Sequence, residues 1–72
     1  MTEQTYYMVY NQKTQTYLDF LVFDRTVWRK VLTSSCLCDS IHRANREMEI
    51  LAAQNICDKK DLVVKPMVVE VT

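Results

Sequence analysis

Two runs of aromatic and apolar residues near the start of the chain, 5–11 and 16–23, flank a wholly polar run, Asn11-Gln12-Lys13-Thr14-Gln15-Thr16. Tyr6, Tyr7, Val9, Tyr10, Tyr17, Phe20, Val22 and Phe23 are strand formers, because β-branched and aromatic groups fit a pleated, half-buried surface. The pattern predicts a β-hairpin with Asn11 opposite Thr16. Side chains alternate faces with period two. In this register Tyr7, Val9, Leu18, Phe20 and Val22 share the core face. Tyr6, Met8, Tyr10, Tyr17, Leu21 and Phe23 share the other, interrupted only by Asp19. A solvent-facing sheet surface is usually more polar than that.

Residues 26–33, TVWRKVLT, set Val27, Arg29 and Val31 against Trp28, Lys30 and Leu32 and read as a third strand, with a short helix as the alternative; Trp28 and Leu32 would join the core face. Ile41, Ala44, Met48, Leu51, Ala52 and Asn55 then follow helical spacing over roughly 40–54, with Asp39 or Ser40 as cap. Arg43 and Glu47 form an i,i+4 pair on its polar side. The last stretch, LVVKPMVVEV at 62–71, is a strand in which Pro66, lacking a donor, marks an edge or a bulge. The fold class is therefore α+β and two-layered: a three-stranded meander, one helix and a C-terminal strand (βββαβ), forming a four-stranded sheet with the helix on one face. A helix running antiparallel to strand three would place strand four parallel to strands one and three, in a mixed sheet.

Composition narrows the function. Seventy-two residues make one domain, and 49% hydrophobic residues argue against disorder. Nine basic and nine acidic residues cancel, so neither a basic nucleic-acid footprint nor the strong negative charge of a DNA mimic is present. No apolar run approaches a membrane span, and the polar start Met-Thr-Glu-Gln is unlike a secretory signal, which points to the cytoplasm. The sequence has no glycine, so Gly-rich phosphate loops are excluded as motifs. Positive-φ positions must fall to Asn or Asp, such as Asn11, Asp24, Asn55 and Asp58.

The order Tyr-x-Val-Tyr-Asn-x-Lys-Thr at 7–14, then Tyr17-Leu18, Trp28, an Ala-containing amphipathic helix and a valine-rich end resembles a loose group of small phage and bacterial α+β proteins. Their hairpins often read KTGKYL; here Lys13-Thr14-Gln15-Thr16-Tyr17-Leu18 matches, with Gln15 in the glycine's place. The resemblance implies a phage-type accessory protein, working in the host cytoplasm, and carries over no catalytic residue.

Chemistry-bearing residues are few. Cys36, Cys38, His42 and Cys57 offer four zinc donors, but the C-x-C spacing is not the usual knuckle, and buried thiols are the simpler reading; no metal or other cofactor is expected. The lone His42 has no recognisable partner for cysteine or serine catalysis, so no enzyme activity is expected. Arg25, Trp28, Arg29 and Lys30, near Tyr17, form a candidate aromatic-basic platform for single-stranded nucleic acid. The leading expectation is a non-catalytic interaction protein that docks on another protein through Tyr6, Met8, Tyr10, Tyr17, Leu21 and Phe23, inhibiting or modulating a host machine. A homodimer through the same face is the commonest way to bury it. In that reading Asp19 is a surface group, and Asp19→Lys leaves the monomer folded.

Overall fold

The computed structural model describes residues 2–22 and 24–71. In it the order is β1 (Thr2–Asn11), β2 (Thr16–Leu18), β3 (Trp28–Arg29), a 3-10 turn (Ser34–Cys36), α1 (Ile41–Ala53), a second 3-10 turn (Lys59–Asp61) and β4 (Leu62–Val71). The strands form one antiparallel sheet in the order β3-β2-β1-β4, with α1 packed on one face. The βββαβ architecture read from the sequence is thus present.

The hairpin has the expected register, Asn11 opposite Thr16 and Tyr10 opposite Tyr17. With no glycine to turn the chain, Gln15 takes the positive φ of 58°, and Asn55 takes the same value after α1. Of the four positions expected to do so, Asn11, Asp24, Asn55 and Asp58, only Asn55 does. Asn11 stays in β1 and works through its side chain, whose Oδ1 accepts from the amides of Lys13 and Thr14. Asp58 likewise caps the second 3-10 turn, accepting from Lys60 N.

Strands two and three are much shorter than the sequence suggests. β2 ends at Leu18 because the segment 34–38 takes its place beside β1: Phe20 N donates to Ser35 O (2.8 Å), and Tyr7 exchanges both backbone bonds with Cys38 (2.6 and 2.8 Å). β3 is two residues long, and Val31, expected inside a strand, is exposed. This insertion also fixes the direction of β4. The chain re-enters at Tyr7, α1 runs along the hairpin half of β1, and Asp61 O accepts from Gln12 N (2.7 Å) at the far end. Leu62 therefore starts opposite Asn11 and β4 runs back antiparallel to β1, so the sheet is not mixed.

The core lies between α1 and the sheet. Val9, Leu18, Phe20, Cys38, Ala44, Leu51 and Leu62 are buried there, with Tyr7, Trp28, Met48, Cys57 and Val64 packed around them. Of the residues expected on the core face, Tyr7, Val9, Leu18, Phe20 and Trp28 take part in it, whereas Val22 and Leu32, past the ends of β2 and β3, are half-buried outside it. Ser40 caps α1 by accepting from Arg43 N. Arg43 does not pair with Glu47; its guanidinium lies over the Phe20 ring (5.7 Å) and donates to Phe20 O. Pro66 lies opposite Tyr7. Tyr7 turns its backbone bonds to Cys38, so in an antiparallel ladder the Pro66 nitrogen points away from β1, to the open edge where no donor is needed.

Candidate interaction surface

Alternation along β1 turns Tyr6, Met8 and Tyr10 away from α1, and antiparallel pairing brings Met67, Lys65 and Val63 of β4 beside them in that order. Across the hairpin Tyr17 stands opposite Tyr10, and Arg29 opposite Tyr17. One row across the sheet therefore reads Arg29, Tyr17, Tyr10, Val63. Because Asn11 carries the backbone bonds that close the loop, Tyr10 and Tyr17 form the non-hydrogen-bonded pair, in which side chains stand closest. Their ring centroids are 5.1 Å apart at 47°. Such a contact is worth about 0.5–1.5 kcal/mol beyond burial. Lys65 reaches diagonally and sets its ammonium 4.1 Å from the Tyr10 centroid, a cation–π contact.

Four of the six residues expected to form a docking face thus come together: Tyr6, Met8, Tyr10 and Tyr17. Met8 is only 6% exposed, and the three tyrosines are half-buried. Leu21 lies past the end of β2, in the following loop, and is 67% exposed. Phe23 lies outside the described residues. The β4 contributors Val63, Lys65 and Met67 were missed by the sequence reading, although their period-two spacing was visible; what was lacking was the pairing of β4 with β1.

Asp19 differs most from expectation. Rather than interrupting an exposed face, it is 5% exposed, beneath Arg29. Its carboxylate accepts from Leu21 N (2.9 Å), Arg29 Nε (3.1 Å) and Ser35 Oγ (3.2 Å). The Leu21 amide above all, then Arg29 and Ser35, hold its pKa below the ordinary carboxylate value against the opposing effect of burial. This carboxylate ties together the turn after β2, the short β3 and the first 3-10 turn, so the Asp19→Lys substitution read as harmless to the monomer would instead disrupt it. Only Arg29 Nε is used, and half of the Arg29 side chain is exposed.

The alternative basic platform is divided. Trp28, opposite Leu18, packs on the core side, whereas Arg29 is on the tyrosine side. Arg25 and Lys30 are exposed outside the strands. The four candidate zinc donors are not gathered either: among the described residues no three His, Cys, Asp or Glu side chains form a group able to hold a metal ion. Cys36 and Cys38 are buried and Cys57 half-buried, all three as free thiols. Burial, with Asp61 nearby, raises the Cys57 pKa, which disfavours the nucleophilic thiolate. His42 is exposed on α1.

A cleft of about 500 Å³ opens between the second half of α1 and the loop after β2, lined in part by Phe20, Val22, Arg25, Glu47 and Ile50. Its polar lining includes the Thr26 hydroxyl and the carboxylates of Asp19, Asp24 and Glu47. No helix among the described residues is long and apolar enough to cross a membrane. No family model matches the chain, and no similarity to a curated protein or to a solved structure was found.

Proposed function

We propose that this chain is a non-catalytic, cytoplasmic interaction protein that docks on another protein through the helix-free face of its sheet and acts by covering a surface of that partner. The observation that carries this reading is the packed row of Tyr10 and Tyr17, continued by Tyr6, Met8, Val63 and Met67, where a solvated face would carry polar groups. Tyrosine and methionine give large contact area at modest entropic cost and are favoured at interface cores. Lys65 and Arg29 border the patch and suit a partner surface that is apolar with carboxylates at its rim. Inhibition or modulation of a host machine, the role implied by the resemblance to small phage proteins, is compatible with such occlusion.

A second reading is favoured by the same two cations. Tyrosines with Lys65 and Arg29 on one sheet face are also the composition of a stacking platform for single-stranded nucleic acid. The balanced net charge counts against it, since backbone binding to nucleic acid is driven mainly by excess cations. Affinity capture from host lysate separates the two. Docking on a protein predicts a nuclease-resistant partner lost with Tyr10→Ala/Tyr17→Ala, in a variant whose circular dichroism is unchanged. Nucleic-acid binding predicts a nuclease-sensitive one, and salt-dependent anisotropy of labelled oligonucleotides that Lys65→Ala weakens. Capture unaffected by the tyrosine substitutions contradicts both.

A further inference from the structure

β1 is longer than the body it belongs to. Its hairpin partner reaches only Tyr10 and Asn11, Cys38 pairs at Tyr7, and α1 begins just after Cys38. Residues 2–6 pair with β4 residues 67–71 and, among the described residues, with no other strand. The result is a two-stranded arm on a molecule 42 Å long and 22–23 Å across. Two strands alone are marginal in water. On this arm Val68 is 59% and Met67 36% exposed, and Glu3 faces Glu70 directly, a destabilising like-charge pair.

The two edges of the arm differ. On β4 the open edge carries Pro66, at the base of the arm, which cannot donate to an added strand and so discourages edge pairing. On β1 there is no proline, and Glu3 is the one charged residue of 2–6. Tyr7 directs its N–H and C=O to Cys38 on that side, and by period two Glu3 and Thr5 direct theirs the same way, to an edge with no strand on it among the described residues.

We propose that this β1 edge pairs antiparallel with the same edge of a second copy of the chain. The register follows from charge and from the backbone groups on offer. Glu3 opposite Glu3 would set two carboxylates face to face. Thr5 opposite Thr5 would push Glu3 onto Tyr7, whose bonds Cys38 already takes. Glu3 opposite Thr5 of the second copy uses every open N–H and C=O at positions 3 and 5. It also sets Gln4 against its own counterpart, where two amides can bond to each other. The symmetry axis is then perpendicular to the sheet, so both tyrosine faces look the same way. The assembly would present a doubled docking surface and gain avidity for a repetitive partner. This goes beyond the docking reading, because edge and face are different surfaces.

Solution mass by light scattering in reductant over a dilution series tests the pairing. The expected result is a concentration-dependent dimer of two 8.5 kDa chains. Thr5→Pro removes an N–H that lies off the β4 ladder, so it should keep the circular dichroism spectrum and weaken dimerisation about tenfold or more. In a Cys57→Ser background, Gln4→Cys should form an interchain disulfide under mild oxidation and Glu3→Cys should not, a readout that stands even if Thr5→Pro unfolds. Tyr10→Ala should leave the mass unchanged, whatever it does to partner capture. A chain that stays monomeric to about millimolar overturns the proposal. So does a dimer indifferent to a folded Thr5→Pro, or one cross-linked through Glu3→Cys in preference to Gln4→Cys.

Discussion

Asp19 is the residue on which most of the irregular half of the molecule depends. One buried carboxylate holds the Leu21 amide, Arg29 and Ser35, and so secures the turn after β2, the short β3 and the segment inserted beside β1. Asp19→Ala leaves an amide, a guanidinium and a hydroxyl without their acceptor, and should lower Tm by roughly 5 °C or more in thermal melts. Its pKa is depressed in the folded state, so its contribution to stability is complete above the unfolded value of about 3.9. That contribution is lost as pH falls through the lower folded value. Wild type should therefore lose stability below about pH 4 by an increment that Asp19→Ala lacks, as denaturant melts at pH 7 and pH 3 can measure. Gln15 is the opposite case, a residue under local strain. At φ 58° a side chain with a Cβ is disfavoured, so Gln15→Gly should stabilise the hairpin by roughly 0.5–1 kcal/mol in denaturant melts. A loss of stability would mean that the Gln15 side chain contributes more than its backbone costs.

At the scale of elements, the regular parts were legible in the sequence and the irregular ones were not. The hairpin register could be read because a polar loop of fixed length between two runs of aromatic and apolar residues admits few pairings. The helix could be read because Ala44, Met48 and Leu51 repeat at helical spacing behind a serine cap. The shortness of β2 could not, since it results from a distant part of the chain, in which Ser35 bonds Phe20 and Cys38 pairs with Tyr7 of β1. The same event reversed the expected direction of β4, and with it hid Val63, Lys65 and Met67 from the candidate face. Asp19 was misplaced for a related reason: strand alternation was extended past Leu18, where the strand had already ended. The helix-to-sheet spacing offers a direct check. Ala44 is fully buried where α1 meets the sheet, so Ala44→Leu should cost about 1–3 kcal/mol by overpacking, read as a lower denaturant midpoint at constant m-value. An unchanged midpoint would mean that α1 stands farther from β1 than described.

As a whole the molecule buries one side of a small sheet under a single helix and leaves the other side to its own side chains. Tyr10, Tyr17 and Lys65 shield one another there, and Met8 is nearly closed off among its neighbours. Such a surface can face water without a covering layer and still present aromatic area to a partner. Tyr7 offers an internal reference, because it lies on the same strand but packs toward the helix. Mild tyrosine nitration, read by mass spectrometry on the free protein and on the complex captured from lysate, tests the docking face most directly. Docking through this face predicts that Tyr6, Tyr10 and Tyr17 lose reactivity in the complex while Tyr7 keeps its own. Equal reactivity of Tyr6, Tyr10 and Tyr17 in the two states would contradict it.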